Sequence, residues 1–429
     1  MPTLSRGSPV CGRSAQSSRR ESLEKGACMR RHQLLKEGIS ILSAAVLASF
    51  AAAAVADSNA NDNGGTASQT PLSIKQQGYF FVDQQYYTAT TGEQFLANQV
   101  YVEFQIPAQL KHPYPIIFFP GGGQTGTNFM GTPDGREGWA QFFLARGYAV
   151  YIVDEVGRGK APWSVDLYGP LPGAGRFAST EQRFTAIERF NLWPQAHLHT
   201  QWPGAGVHGD PIFDQFQASQ TPSIDIVAQE VQQKAAGAAI LDRIGPAIVL
   251  THSMSGSYGW QIADARPALV KGVLAVEPSG PPFYDVVNIA PPVWFADSVT
   301  PGRPWGITRS AITYAPPISS PLQLGAVKKP AEASDLAPCW RQSEPAHQLP
   351  TLQGIPILII TSEASYHAPY DHCTSEYLNQ AGVQHTWTRL PDVGIHGNGH
   401  MMMLEKDNLE IANYMADWLK SNVERADSE

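Results

Sequence analysis

One serine stands where the chain could expose a nucleophile. Ser253 closely follows the apolar run 247–250 and precedes helix-like sequence. A serine that attacks a carbonyl carbon must stand on a tight turn at a strand end, with little bulk two positions before and after it. The usual pattern is G-x-S-x-G, whereas Thr251 and Ser255 replace both glycines here. The segment alone therefore does not establish a nucleophile, and other parts of a site must support it.

A glycine-rich loop is the first supporting part. Residues 120–126 read PGGGQTG and follow another short apolar run. Such a loop can direct a backbone N–H group at a developing oxyanion, and the residue after the serine supplies a second donor. A plain loop or a phosphate cradle are the alternatives, but no G-K-[ST] follows, which argues against the cradle. The candidate donors are the N–H groups of Gly122, Gly123 or Gln124, together with that of Met254.

A histidine near the C-terminus is the candidate base. His400 ends the segment GIHGNGH, which follows a predicted strand over residues 385–390. The order serine, acid, histidine along the chain is one in which catalytic triads occur, with the histidine on the loop after the last strand. His396 in the same segment is the rival. We expect His400 to take the proton from Ser253.

The acid has four candidates. Glu277 ends the apolar run 273–276, and Glu363 follows the run at 357–361. Position alone slightly favours Glu363, because the acid of such triads more commonly follows that strand. A carboxylate at a strand end beside proline is otherwise often a helix cap. The further options are Asp371 and Asp392.

Several short, solid apolar runs must position these residues. Runs of this kind are typical of strands that are buried on both faces of a parallel sheet. Helix candidates lie between them at 137–145 and 225–243, and a last amphipathic helix covers 408–419. The alternation predicts a doubly wound α/β domain with a mostly parallel sheet. The runs are 116–119, 149–153, 247–250, 273–276 and 357–361.

Two connections, 157–222 and 281–350, are too long for simple crossovers. Insertions of this kind lie over the C-terminal strand ends, where ligands bind in α/β domains, so we expect them to form a lid. Their aromatic residues indicate either an apolar or aromatic substrate group or packing within the insertions themselves. These residues are Trp163, Trp193, Trp202, Phe283, Tyr284, Trp294, Phe295, Trp305 and Tyr314.

The N-terminal segment 1–56 reads as a signal peptide. Arg30, Arg31 and Lys36 precede an apolar stretch that ends in the small residues of a cleavage site at Ala54-Val55-Ala56. The alternative is an uncleaved anchor. Met29 is a possible true start. Residues 57–77 predict a flexible linker and 78–425 the folded domain, which would be secreted or periplasmic.

The composition limits the classes of partner. Hydrophobic residues make up 43% of the chain, which excludes a mainly disordered or fibrous protein. Loss of residues 1–56 leaves 22 basic and 35 acidic residues, a formal charge of −13. That surface argues against nucleic acid or an anionic membrane as a partner, and no later stretch is apolar enough to span a bilayer. A small-molecule substrate is the expected partner.

Four cysteines occur, and Cys11 and Cys28 fall within the predicted signal peptide. In an oxidising compartment the remaining pair, Cys339 and Cys373, predicts one disulfide. The alternative is two buried free thiols.

Six segments together resemble a group of secreted bacterial and fungal esterases of the α/β-hydrolase superfamily, whose nucleophile turn lacks the usual glycines. In that group the acid is a glutamate at the end of the sixth strand, which matches Glu277. The group's serine matches Ser253 and its histidine matches His400. A histidine tends to precede the glycine run, where this chain has Pro120. The segments are GGGQTGTNF (121–129), GTPDGREGWA (131–140), THSMSGS (251–257), VEPSG (276–280), EASYHAPYDHC (363–373) and HGNGHMMMLEKDN (396–408).

The resulting prediction is a serine carboxylic ester hydrolase that forms an acyl-enzyme on a small or medium ester or lactone. The alternatives are an amidase or peptidase on the same fold, an inactive binding protein, or a structural surface protein. Such chemistry needs no metal and no organic cofactor. His197 and His199 are weak candidates for a metal site, since no third ligand is apparent.

Overall fold

The computed structural model describes residues 71–424, except Ala174, Ala290 and Pro292. The predicted signal peptide, most of the predicted linker and the predicted domain end at residue 425 lie outside the described residues. Within the described part, no helix combines the length and the apolar character that crossing a membrane requires.

A sheet of eight strands forms the centre of the domain. Its order is β1-β2-β4-β3-β5-β6-β7-β8. β2 pairs antiparallel with β1 and β4, and all other neighbours pair parallel. The carboxyl ends of the parallel strands therefore meet at one edge. The strands are β1 (Ile74–Val82), β2 (Val100–Pro107), β3 (Ile116–Phe119), β4 (Val150–Asp154), β5 (Ala247–His252), β6 (Val270–Val276), β7 (Ile357–Thr361) and β8 (Thr386–Arg389).

The solid apolar runs form the inner strands because both of their faces are covered. Every residue of β3, β5 and β7 is buried. Ile116 belongs to one hydrophobic cluster and its neighbour Ile117 to the other, so successive side chains enter cores on opposite faces of the sheet. The five predicted runs are confirmed as strands, two of them with identical bounds.

The predicted linker 57–77 is wrong at its C-terminal end. Residues 74–77 belong to β1, where Ile74 pairs with Pro107 and Gln77 with Gln105. This end of β1 is exposed and polar, so its sequence lacks the apolar alternation that indicates a strand.

Helices cover both faces of the sheet. The three helices predicted from the sequence are confirmed as α2, α7 and α10. Asp225 caps α7 by accepting from the backbone N–H groups of Val227 and Ala228. The helices are α1 (Thr127–Met130), α2 (Trp139–Arg146), α3 (Val165–Tyr168), α4 (Phe177–Thr180), α5 (Ile187–Phe190), α6 (Pro211–Ala218), α7 (Ile226–Ile244), α8 (Gly256–Ala265), α9 (Asp371–Gln380) and α10 (Asn408–Leu419).

The two predicted insertions are the long connections from β4 to α7 and from β6 to β7. The first contains α3 to α6, and the second contains two small antiparallel ribbons. The predicted disulfide is present: Cys339 of the second insertion is bonded to Cys373 of α9, with their Cα atoms 5.1 Å apart. The ribbons pair Phe283–Asn288 with Phe295–Arg303 and Val327–Lys329 with Cys339–Arg341; a third, between β1 and β2, pairs Gln85–Thr88 with Gln94–Ala97.

Candidate active site

Ser253 stands on a sharp turn between β5 and α8. Its backbone φ is +58°, a left-handed conformation that costs a non-glycine residue energy and is concentrated at functional sites. Gly121 on the neighbouring loop leaves room for this turn. A Cβ atom on Gly121 would lie 2.9 Å from Nδ1 of His252 and 3.1 Å from Cβ of Ser253. Only glycine fits at position 121 without displacing the serine.

The two replaced glycines of the turn are compensated locally. Thr251 fits because Gly259 of α8 faces it: a Cβ atom on Gly259 would lie 3.1 Å from Cγ2 of Thr251. Ser255 is buried, and its hydroxyl donates to the carbonyl of Phe119 at 2.8 Å and accepts the N–H of His252 at 2.9 Å. The turn therefore closes without glycine at either position.

His400 and Glu277 form a buried hydrogen-bonded pair. Nδ1 of His400 lies 2.5 Å from Oε2 of Glu277. The Glu277 carboxylate also accepts three other hydrogen bonds. The donors are the N–H of Ser362 at 2.9 Å, the hydroxyl of Ser362 at 2.5 Å and the hydroxyl of Ser365 at 2.7 Å. This set of donors fits an ionised carboxylate, so we assign the proton of the ring to Nδ1. Nε2 of His400 is then free to accept a proton.

Burial sets the protonation of this pair. Burial lowers the pKa of His400 well below 6.5, and the nearby His252, His367 and Arg183 lower it further. Burial raises the pKa of Glu277, and the donors of Ser362 counteract that rise. At neutral pH the ring is uncharged, which is the form that a general base requires.

Tyr366, which no sequence pattern singled out, lies between the pair and the serine. Its hydroxyl lies 3.1 Å from Nε2 of His400, and the nearby side chain of Ser253 opposes the rise in the pKa of the phenol. Burial raises the pKa of Tyr366, so the phenol is neutral. Its position on the loop after β7 is the one sequence signal that could have identified it.

The rival acid and the rival base bind each other. Oε1 of Glu363 lies 3.1 Å from Nδ1 of His396, and its Oε2 accepts the N–H of Gly397 at 2.8 Å. His396 is exposed, whereas His400 is buried. Neither Glu363 nor His396 contacts Ser253, so the structure places this pair beside the site rather than in it.

The two remaining acid candidates, Asp371 and Asp392, lie in other surroundings. Asp371 holds His367, with 2.8 Å between Oδ1 and Nδ1, and accepts the hydroxyl of Thr361 at 2.8 Å. The ring of His367 stacks on His400 with centroids 4.8 Å apart. Asp392 is exposed on the short turn after β8. Of the four carboxylates, Glu277 is the one bonded to His400.

The residues of the glycine-rich loop 120–126 differ in whether they line the cavity beside Ser253. Gly122 and Met254 line the same cavity as Ser253, whereas Gly123 and Gln124 do not. The N–H of Gln124 donates to the carbonyl of Gly121 within the loop, at 3.3 Å. Two of the residues predicted to supply donors, Gly122 and Met254, therefore line the cavity beside Ser253.

A buried arginine holds this loop. Nη1 of Arg158 donates to the carbonyls of Gly121 at 2.9 Å and Gln124 at 3.4 Å. Nη1 also pairs with Glu155 at 3.0 Å, and both side chains are fully buried. The carbonyls of the loop face the guanidinium. No pattern in the sequence pointed to Arg158.

The cavity beside Ser253 has a volume of about 500 Å³, and both insertions line it. None of the nine aromatic residues that the sequence analysis named in the insertions is among its lining residues. Trp193, for example, is buried and donates to the carbonyl of Ala364 at 2.9 Å. These nine residues therefore contribute no surface to the cavity, although Phe184 of the first insertion lines it.

His199 connects the first insertion to the segment that carries His400. Its Nδ1 lies 3.0 Å from Glu188 and its Nε2 lies 2.8 Å from Glu405. Glu405 is buried and accepts the N–H of Gly399 at 3.0 Å. Thr200 adds a backbone hydrogen bond to the carbonyl of Gly397 at 2.9 Å. The role of His199 is thus an ion pair between two elements.

The sheet order and the strand-end position of Ser253 define an α/β-hydrolase fold. The chain is similar to the solved structure of a novel bacterial esterase, with a TM-score of 0.55 and 23% identity, over 82% of this chain and 98% of that one. Identity at this level shows the fold alone. No protein-family model matches the chain.

A relative is much closer in sequence. The chain is 49% identical over 331 residues to a probable secreted lipase, phiG, from Fungal sp. (strain ATCC 74256), which covers 75% of this chain and 85% of the relative. The chain belongs to the family of that lipase.

Proposed function

We propose that the protein is a serine carboxylic ester hydrolase that works through an acyl-enzyme. The observation that carries this proposal is the hydrogen-bonded series from Tyr366 through His400 to Glu277, with Ser253 next to the phenol and beside a cavity that Gly122 also lines. A strained serine, a neutral imidazole and a buried carboxylate in this order are the parts of a catalytic triad.

In the proposed first step, Oγ of Ser253 attacks the ester carbonyl carbon. The Ser253 proton passes to the Tyr366 oxygen while the Tyr366 proton passes to Nε2 of His400, so the phenol stays neutral. The N–H groups of Gly122 and Met254 hold the oxyanion, an effect worth about 3 kcal/mol per donor.

The second step releases the alcohol. The imidazolium of His400 returns its proton to the leaving alkoxide as the carbon–oxygen bond breaks, which leaves an ester on Ser253. Water then attacks this ester with the same base, and the acid product leaves. Glu277 orients the ring and stabilises its charged form, so we assign it a positioning role rather than a proton-accepting one.

The proposed site of action is outside the cytoplasm, in the periplasm or the medium. This proposal is supported by the basic and apolar N-terminal segment, by the disulfide between Cys339 and Cys373, and by the secreted relative. A cavity of about 500 Å³ suits a small or medium ester or lactone.

Labelling with a fluorophosphonate tests the nucleophile. Wild-type protein is expected to bind the probe covalently, with the modified peptide containing residue 253, and Ser253→Ala is expected to lose both labelling and esterase activity. Ser257→Ala is the matched control, because it removes another serine hydroxyl close to the turn. That hydroxyl donates to the backbone carbonyl of Met254. Labelling that persists in Ser253→Ala contradicts the proposal, as does faster cleavage of an amide than of its matched ester.

A further inference from the structure

Charge, rather than apolar surface, distinguishes the cavity beside Ser253. Three arginines line it, Arg183 from the first insertion and Arg303 and Arg309 from the second. Asp285 is the one carboxylate among the lining residues described. A cavity with this excess of cations attracts a negatively charged ligand.

Two of the arginines converge next to the serine turn. Nη1 of Arg303 and Nη2 of Arg309 lie 3.4 Å and 3.2 Å from the same hydroxyl, that of Ser279. The backbone N–H of Ser279 in turn donates to the carbonyl of Ser253 at 2.7 Å. The two guanidinium groups therefore lie close to each other, and Ser279 connects them to the backbone of the proposed nucleophile.

The arginines are not equally neutralised. Arg303 is buried and its Nη2 pairs with Asp285 at 2.5 Å. Arg309 has no carboxylate at ion-pair distance in the described part of the chain, and its buried Nε has no hydrogen-bond partner there. Glu230 lies behind it but accepts the backbone N–H of Arg309, not the guanidinium. Burial and then the charge of Arg303 lower the pKa of Arg309, as expected for an unpaired cation.

Arg183 completes the set from the opposite insertion. Its guanidinium is exposed, lies 4.4 Å from the ring centre of Tyr366 and pairs with no carboxylate among the described residues. This position puts a cation over the ring of Tyr366, whose hydroxyl contacts His400.

We infer that the substrate of the proposed esterase carries a carboxylate, held between Arg183 and Arg309 while Ser253 attacks the ester group. The inference rests on the proposed function and names its substrate class: carboxylate-bearing esters rather than neutral apolar ones. An anion here gives Arg309 a counter-charge and balances the cavity charge.

Matched ester pairs test the inference. One pair places the charge on the acyl side, the p-nitrophenyl monoester of glutaric acid against that of glutaramic acid. The other places it on the alcohol side, para-acetoxybenzoate against para-acetoxybenzamide. Each pair differs only in a carboxylate against an amide of similar size. We expect kcat/KM for the anionic member of one pair to exceed that of its neutral member by about tenfold or more.

Variants assign the preference to the arginines. Arg183→Gln, which alters an exposed side chain and leaves folding intact, is expected to lower the ratio of anionic to neutral kcat/KM by about tenfold, and Arg309→Gln is expected to do the same. Arg266→Gln removes a charge that is paired with Asp242 on the surface and is expected to retain the ratio.

The outcomes separate the two proposals. Equal rates on both members of both pairs, or a preference that both cavity variants retain, overturn the carboxylate inference and leave the esterase proposal standing. No hydrolysis of any of these esters, together with no fluorophosphonate labelling, contradicts the esterase proposal and the inference with it.

Discussion

The hydroxyl of Tyr366 lies 3.1 Å from Nε2 of His400, and the nearby side chain of Ser253 acts on the pKa of the phenol, so the phenol neighbours both the histidine and the serine. If the proton passes through the phenol, Tyr366→Phe lowers kcat by about a hundredfold, a typical value for loss of a positioned proton-transfer group. Steady-state kinetics on a neutral p-nitrophenyl ester measure this. Tyr414→Phe loses a hydroxyl bonded to Thr388 and is the control. An unchanged or raised kcat in Tyr366→Phe would mean that the phenol merely occupies the space.

The acid limb of the pH profile reports on His400. Its pKa is held well below 6.5 by burial and by the neighbouring His252, His367 and Arg183, so the ring stays neutral and active as the pH falls past that value. We expect kcat/KM to decline only at a pH below 6.5. Because the charge of Arg183 contributes to the lowered pKa, Arg183→Gln should move the decline to higher pH. A wild-type decline centred above 6.5, or a shift to lower pH in the variant, contradicts this account.

Gly121 tests the crowding at the serine turn. Gly121→Ala would place a methyl group 2.9 Å from Nδ1 of His252 and 3.1 Å from Cβ of Ser253, so the serine must shift. A small displacement of a reacting atom costs about a hundredfold in rate, and we expect a loss of that size in kcat/KM. Gly173→Ala, with no heavy atom within 4 Å of the added carbon, is the control. Full activity in Gly121→Ala would show that the turn accommodates the added carbon without displacing Ser253.

The buried ion pair of His199 predicts a pH-dependent stability. Two carboxylates raise the pKa of His199 to about 9, although burial opposes the rise. Because this value exceeds the unfolded one of 6.5, the stabilisation is complete below pH 6.5 and is lost as the pH rises through about 9.

At pH 7 we expect His199→Gln to lower the free energy of unfolding by about 3 kcal/mol, since it leaves Glu405 buried and unpaired. Urea denaturation at pH 6 and pH 10 measures the difference, which should shrink at the higher pH. His208→Gln changes an exposed ion pair and should have little effect. A cost that is equal at both pH values would count against the charged pair.

The disulfide is expected to stabilise the domain by restricting the unfolded chain. Cys339 and Cys373 are 34 residues apart, and closing a loop of that length is worth about 4 kcal/mol. The double variant Cys339→Ser/Cys373→Ser should therefore unfold at lower urea concentration. A mass shift after reduction and alkylation of the wild type checks that the bond exists, and its absence would refute the pairing.

The strands and main helices could be predicted because each carries a local signal. Buried parallel strands must be apolar on both faces, so runs such as Ile116–Phe119 are distinctive in any sequence. The disulfide could be predicted because only two cysteines follow the predicted signal peptide and an oxidising compartment favours their pairing. The N-terminal end of β1 escaped prediction because an exposed polar edge strand resembles a linker.

The acid could not be chosen from local sequence. Glu277 and Glu363 follow β6 and β7, which are neighbours in the sheet, so both reach the same edge. The resemblance to secreted esterases indicated Glu277, and the structure bonds that residue to His400. The backbone φ of Glu277 is +41°, which turns the chain at this point. No residue type in the sequence indicates this turn.

The arginines and Tyr366 escaped prediction for a different reason. Arg183 and Arg309 lie more than a hundred residues apart in the sequence and belong to different insertions, and only folding of both insertions brings them to one cavity. The nine aromatic residues named in the insertions suggested an apolar site, but none of them lines the cavity. Spacing along the chain carries no information about such long-range convergence.

The link between His199 and Glu405 limits how this protein can admit a ligand. Because residues 199 and 200 are bonded to the stretch that ends in His400, a swing of the whole first insertion would carry the base away with it. Motion that admits a ligand is therefore expected in parts of the insertions that lack this attachment. The reactive groups would keep their places during such a motion.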